Sequence, residues 1–78
     1  MIEKKEKIII TFFTTNDALQ LEDVCMQKKI QGRLIPVPKK ISASCGMAFC
    51  TDIHLESEIL NTIQEDNIRI EAIHYEWI

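Results

Sequence analysis

The chain has 78 residues, of which 46% are hydrophobic and 27% charged, and its net charge is −3 at pH 7. This length accommodates one small hydrophobic core, and two Gly and two Pro are too few for a disordered chain. The apolar run between Ile8 and Phe13 is too short to span a membrane and lacks a cleavage site after it. We therefore expect a single domain over residues 1–78, located in the cytoplasm and not in a membrane.

The first predicted elements are a strand at residues 7–13 and a helix that follows it. The strand residues are β-branched or aromatic with apolar side chains on both parities, which is typical of a central strand. The Thr-Thr-Asn run at 14–16 offers helix N-caps. Four apolar residues at helical spacing predict the buried face: Ala18, Leu21, Val24 and Cys25. Gly32 is expected to end this helix in a left-handed conformation.

Residues 33–38 predict a short strand at the edge of a sheet. Pro36 and Pro38 lack an N–H group, and because they are two residues apart, the missing donors point to the same side. A strand tolerates this only where that side faces solvent. Residues 47–51 predict a third strand, which would pair with the other side.

A second helix is predicted at 54–66, ended by Asn67 and followed by a last strand at about 68–77. Its buried face is predicted from four apolar residues: Leu55, Ile59, Leu60 and Ile63. The element order is therefore β-α-β-β-α-β. This order predicts an α+β, ferredoxin-like sandwich, with an antiparallel sheet and two helices on one face. The second strand lies at an edge in this topology, as the prolines require.

Two helices cover one sheet face, and the other face also carries apolar residues. In the last strand the apolar residues change from even-numbered to odd-numbered positions, which point to opposite faces. The even set comprises Ile68, Ile70 and Ala72, and the odd set comprises Ile73, Tyr75 and Trp77. An exposed apolar patch on strands one and four predicts a partner or a homodimer, which Trp77→Ala should weaken. The alternative is that the C-terminal residues fold over the sheet.

Three cysteines without paired spacing predict reduced thiols rather than a disulfide scaffold. Cys25 lies on the helix stripe and Cys50 within the third strand, so both are expected to be packing residues. Cys45 lies in a small polar turn, where Gly46 leaves room for a substrate to approach the sulfur. Cys45 is therefore the candidate functional thiol, and an incidental exposed cysteine is the alternative.

The charge distribution also points to the segment around Cys45 as the functional region. Residues 24–51 contain no Asp or Glu and carry a charge of +5, whereas the remainder carries −8. Lys39 and Lys40 precede Cys45, and nearby positive charge raises the thiolate fraction of a cysteine. We expect Cys45 to be the fastest-alkylated thiol, with a pH dependence that Lys39→Ala with Lys40→Ala alters. The alternative is that these lysines only increase solubility.

Other kinds of site are weakly indicated. Four residues are conceivable zinc ligands: Cys45, Cys50, His54 and His74. Their spacing is not that of a tight metal knuckle, so a metal-binding protein is a distant alternative. No phosphate loop, carboxylate pair or Ser-His-Asp pattern occurs, and we predict neither a cofactor nor a turnover enzyme. The aromatic pair that RNA-binding sheets carry is also missing, which argues against nucleic acid as a partner.

The segment from Pro36 to Gly46, PVPKKISASCG, follows a strand ending in Phe12-Phe13 and a helix carrying Ala18 and Glu22. It resembles a family of small bacterial domains described as selenium/sulfur carrier-like, and the resemblance covers nearly the whole chain. Lys39 stands where the motif usually has arginine, which changes any bidentate anion contact there. Other sulfur carriers use a Cys-Pro pair at a helix N-terminus, whereas this chain has Cys-Gly in a turn between strands.

The resemblance implies that Cys45 holds sulfur or selenium transiently, as a persulfide or selenosulfide, between donor and acceptor proteins. The candidate site comprises this carrier thiol and five binding residues: Lys39, Lys40, Ser42, Ser44 and Gly46. The alternative function, from a different class, is a non-catalytic interaction or regulatory module that uses the exposed sheet face.

Overall fold

A computed structural model describes residues 4–41 and 43–77, which form a four-stranded antiparallel sheet with two helices. The elements are β1 (Glu6–Thr11), α1 (Thr15–Gln27), β2 (Arg33–Pro36), β3 (Met47–Asp52), α2 (Glu56–Glu65) and β4 (Ala72–Trp77). A short 3₁₀ turn at Ile53–Leu55 leads into α2. The strand order is β2-β3-β1-β4, so the predicted ferredoxin-like α+β arrangement is confirmed.

The strand β2 is an edge strand, as its prolines predict, because it pairs only with β3. Just beyond it, the N–H of Val37 donates to the carbonyl oxygen of Gly46 at 3.1 Å, which continues the contact with the β3 side. Neighbouring residues of an extended chain direct their N–H groups to opposite sides. Pro36 and Pro38 therefore direct their donor-less nitrogens away from β3.

The helix α1 begins as predicted and ends earlier than predicted. The Thr14 side chain accepts a hydrogen bond from the Asp17 N–H at 3.2 Å, which caps the first turn. The helix ends at Gln27, and Lys29 takes the left-handed conformation, with φ of 60°. The predicted role of Gly32 as helix terminator was wrong. A side chain at Gly32 would overlap the ring of Phe49, so glycine is required there by close packing.

The helix α2 buries a different stripe from the predicted one. Ile59 and Thr62 are buried and Ile63 packs partly against the same core, whereas Leu60 is 37% exposed. The prediction that Leu60 lies on the buried face was therefore wrong. Asn67 does end this helical segment, with φ of 52°. Beyond it the last strand begins at Ala72 rather than 68, because the chain first turns to bring Ile68 into the core.

Two apolar clusters lie on opposite faces of the sheet. The cluster on the helix side contains residues of β1, β3 and both helices, including Ile8, Phe49, Leu21 and Ile59. The cluster on the open face comprises Ile9, Ile41, Ala48 and Cys50, with Ile35 and Val37 packed against it. Ile41 belongs to the segment 37–46, hereafter the β2–β3 loop. Through Ile41 and Val37, this loop covers part of the apolar patch on the open face.

Tyr75 and Trp77 lie on the helix side of β4, since Tyr75 is opposite Ile8 in the neighbouring strand. They are 46% and 61% exposed. The predicted dimer through the open face stays a prediction, but these two aromatic residues are not part of that face. In residues 4–41 and 43–77 neither helix is long and apolar enough to cross a lipid bilayer.

Candidate functional site

The sulfur of Cys45 is held by the backbone of the residue that starts β3. Its S–H group donates to the carbonyl oxygen of Met47 at 3.2 Å, and the Met47 N–H donates to Sγ at 3.4 Å. The side chain is partly buried and packs against the helix-side cluster. The carbonyl acceptor and the N–H donor of Met47 together hold the Cys45 sulfur in a defined position.

Gly46 provides the turn that presents this sulfur. Its φ is 79°, a left-handed conformation that residues with a side chain rarely adopt, which explains why glycine occupies this position. The space that a Cβ would occupy has no atom within 4 Å. Apart from its two chain neighbours, no described residue lies close to the side of Gly46 on which a side chain would stand.

The residue before Cys45 is anchored to a carboxylate that sequence reasoning missed. Ser44 donates twice to Glu71, from its backbone N–H to Oε1 at 3.0 Å and from Oγ to Oε2 at 2.9 Å. The N–H of Glu71 in turn donates to the carbonyl oxygen of Thr11 at 2.7 Å, at the end of β1. Glu71 thus connects the β2–β3 loop to the sheet. Nothing in local spacing indicates this contact, since the two residues are 27 positions apart.

The other predicted site residues are not gathered around the sulfur in the same way. The Lys40 ammonium lies 3.1 Å from the carboxylate of Glu76 on β4, and its side chain is 72% exposed. Lys39 is exposed, and it makes no hydrogen bond or ion pair within the described ranges. Ser42 lies outside the described residues. The influence of Lys39 and Lys40 on the Cys45 thiol stays a prediction.

The positive charge of the central segment is partly neutralised in the fold. Lys40 pairs with Glu76, and Lys28 forms an ion pair with Asp66 at 3.1 Å. Both acidic residues lie outside residues 24–51. Arg33 lies at the other end of the sheet from Cys45 and lines a cavity of about 460 Å³ beside Cys50. The segment is therefore not one continuous basic surface.

The two remaining thiols are packing residues, as predicted. Cys25 is 1% exposed, and burial raises its pKa to about 11 despite the nearby Lys28 ammonium. Cys50 is 9% exposed on the opposite sheet face, and burial raises its pKa as well, outweighing the lowering effect of Lys7 and Arg33. Both thiols are therefore protonated near neutral pH, although Cys50 lines the cavity of about 460 Å³. The assignment of Cys45 as the functional thiol stays a prediction.

The residues weighed for a zinc site are dispersed. Cys45 packs against the helix-side cluster and Cys50 against the open-face cluster. Within residues 4–41 and 43–77, no group of three or more His, Cys, Asp or Glu side chains is arranged to hold a metal ion. Among the surface cavities formed by the described residues, those of about 460, 340 and 290 Å³ are not lined by Cys45. The Cys45 side chain is instead partly buried at the end of the β2–β3 loop.

Removing the Glu71 carboxylate is expected to weaken the attachment of Ser44, the residue before Cys45, to the sheet. In Glu71→Gln the amide cannot accept both hydrogen bonds of Ser44, so the Ser44 N–H should exchange with solvent faster by a factor of about 10, the equivalent of one hydrogen bond. Amide hydrogen exchange measures this directly. The matched control is Glu76→Gln, which removes the exposed partner of Lys40 and should leave Ser44 unchanged. Equal exchange rates in the two variants would contradict the anchor.

Comparison with known proteins shows the family to which the chain belongs. The model of the family described as "Putative Se/S carrier protein-like" matches residues 7–75, which spans all six strands and helices except the first residue of β1 and the last two of β4. Neither the search of curated proteins nor that of solved structures found a significant match. Because the match covers most of the chain, including the loop that carries Cys45, the protein belongs to the Se/S carrier protein-like family.

Proposed function

We propose that this protein carries one sulfur or selenium atom at a time on Cys45 and passes it from a donor protein to an acceptor protein. The observation that supports this most is the geometry of the sulfur. The Cys45 sulfur is held by two contacts to Met47, is only partly buried, and lies at the end of the β2–β3 loop rather than lining any of these three cavities. A carrier must present its cargo to two partners in turn, and a loop thiol meets this need better than an enclosed pocket.

The chemistry is thiol–persulfide exchange. The Cys45 thiolate attacks the outer sulfur of a donor persulfide, R–S–SH, and forms Cys45–S–SH while the donor leaves as R–S⁻. The proton of the outer sulfur moves with it, and no external oxidant is needed, because the transferred sulfur keeps its oxidation state. A donor selenosulfide, R–S–SeH, gives Cys45–S–SeH by the same exchange. An acceptor thiolate then attacks the outer atom and restores the Cys45 thiol.

The neighbouring residues have supporting roles in this proposal. The Met47 backbone holds the sulfur in position, Gly46 supplies the left-handed turn after it, and Ser44 positions the turn through Glu71. Three predicted binding residues precede Cys45 in the sequence, and we expect them to contact an anionic cargo or a partner: Lys39, Lys40 and Ser42. Three unpaired thiols suit a reducing compartment such as the cytoplasm. The protein needs no turnover of its own, since the donor and the acceptor complete the reaction.

Loading can be tested with a small persulfide. After reduction, the protein is treated with glutathione persulfide, and its intact mass is expected to rise by one sulfur atom that dithiothreitol removes. Cyanide should release the same sulfur as thiocyanate. Cys45→Ser should abolish loading, whereas the matched control Cys50→Ser should retain it because Cys50 is buried. Equal loading of Cys45→Ser and the unmodified protein would refute the proposal.

A further inference from the structure

The two edges of the sheet differ in how they are protected. The β2 edge is four residues long and ends in Pro36, whose nitrogen has no hydrogen to donate. The β4 edge is six residues long, and Ala72–Trp77 contains no proline or lysine; its one acidic side chain, Glu76, contacts Lys40 over the open face. Natural sheets usually protect a free edge with proline, with charged residues such as lysine, or with a covering segment. The chain therefore blocks one edge against strand pairing and leaves the other available.

The outer edge of β4 has no partner in the described part of the chain. β4 pairs only with β1, and no other backbone hydrogen bond reaches its residues. The β2–β3 loop approaches β4 over the open face, where Lys40 contacts the Glu76 carboxylate, and not along the edge. On the helix side, the same strand exposes the large side chains of Tyr75 and Trp77, 46% and 61% accessible. A free edge and exposed aromatic side chains thus coincide on one strand.

We infer that the β4 edge binds a second copy of this chain, as an antiparallel β4–β4 pair that joins two sheets into one of eight strands. Antiparallel pairing of identical strands requires a two-fold axis perpendicular to the sheet, so each face continues into the same face of the second copy. This condition is met only when the two-fold axis passes between one residue and the same residue of the second copy, so that the register is centred on that residue. Within Ala72–Trp77, the registers with the greatest overlap are centred on His74 and Tyr75.

The side chains select the register centred on Tyr75. In this register the two Tyr75 side chains meet, Ile73 lies opposite Trp77 of the second copy, and His74 lies opposite Glu76 of the second copy. Cross-strand aromatic and apolar pairs stabilise a sheet, and an imidazole N–H can donate a hydrogen bond to a carboxylate opposite it. The register centred on His74 instead places two His74 side chains together and Glu76 opposite Ala72. A register centred on Glu76 would bring two carboxylates together, which destabilises pairing.

This arrangement also accounts for what the chain leaves exposed. It covers Tyr75 with its own counterpart and Trp77 with Ile73 of the second copy, and it satisfies free N–H and C=O groups of the edge. Because Pro36 blocks the opposite edge, pairing stops at two copies and cannot extend into a fibre. Cys45 lies at the end of the β2–β3 loop and takes no part in the pairing, so each copy keeps its own thiol.

The test uses the self-pairing of Tyr75. Sedimentation of the full chain at micromolar concentration should show a dimer. Tyr75→Lys and Tyr75→Glu should each be monomeric, because each places two like charges on the two-fold axis. An equimolar mixture of the two variants should recover the dimer, since lysine then meets glutamate. Leu19→Lys, at a residue on α1 that is 47% exposed, is the matched control and should remain dimeric. Circular dichroism should show that all variants are folded.

The other outcomes overturn the inference. A monomeric unmodified protein excludes a second copy as the occupant of the β4 edge. A dimer that survives Tyr75→Lys places the interface elsewhere, including on the open sheet face. Monomeric variants that stay monomeric on mixing exclude the register centred on Tyr75.

Discussion

Replacing Ile41 with alanine is expected to lower the free energy of unfolding by about 2–4 kcal/mol, the usual cost of truncating a buried isoleucine. Ile41 is 8% exposed, and it packs with Ile9, Ala48 and Cys50 on the face that the helices leave open. Its loop is otherwise tied to Glu76 on β4 by Lys40 and to Glu71, just before β4, by Ser44. An exposed ion pair contributes little and one hydrogen bond only about 1 kcal/mol, so the apolar contact is expected to be the largest single contribution that holds the loop down.

A second consequence of Ile41→Ala is expected at Cys50. Loss of the covering side chain should make the Cys50 thiol react faster with a maleimide in the native state. Urea denaturation and mass-resolved labelling measure the two effects. Leu19→Ala is the control, because Leu19 is 47% exposed and its truncation should change stability by less than about 0.5 kcal/mol. If Ile41→Ala resembled this control in both measurements, the loop would not be closing the open face.

Native-state alkylation at pH 8 is expected to label Cys45 well before Cys25. With a pKa of about 11, only about one Cys25 thiol in a thousand is ionised at this pH, and the side chain is 1% exposed. The combined effect of ionisation and burial should separate the two rates by a factor of about 1,000 or more. Cys50, buried on the other face with a raised pKa, should also react slowly. Faster labelling of Cys25 or Cys50 than of Cys45 would contradict the assignment of Cys45 as the functional thiol.

The same burial predicts how stability depends on pH. The pKa of Cys25 is raised in the folded state relative to an exposed thiol, so the unfolded chain releases the proton more readily. The contribution of the neutral thiol to stability is therefore fully present below about pH 8.5 and is lost as the pH rises towards 11. Cys25→Ala should reduce this decline. Denaturation midpoints measured at increasing pH between these values provide the readout.

Several features could be predicted from the sequence because they depend on neighbouring residues. The helix stripe that places Cys25 in the core follows from spacing along one helix. The edge position of β2 follows from the alternation of Pro36 and Pro38, and the end of α2 follows from Asn67. The motif around Cys45 also carried the family resemblance. Local backbone geometry and periodicity were sufficient in each of these cases.

Other features depend on residues that meet only in the folded chain. The length of α1 did not depend on Gly32, whose smallness is instead required by the ring of Phe49 from another strand. On α2, the prediction that Leu60 is buried failed, because helical periodicity alone does not say how far a buried stripe extends around the helix.

The sequence alone determined the order of the elements, the edge position of β2 and the choice of Cys45 as the candidate thiol. The tertiary structure decided what surrounds that thiol. It placed Glu71 beside Ser44 across 27 positions, directed Lys40 towards Glu76, and folded Ile41 over the open face of the sheet. It also placed the exposed aromatic residues of β4 on the helix side. Periodicity reports contacts within one element, whereas these contacts form only when the sheet brings distant segments together.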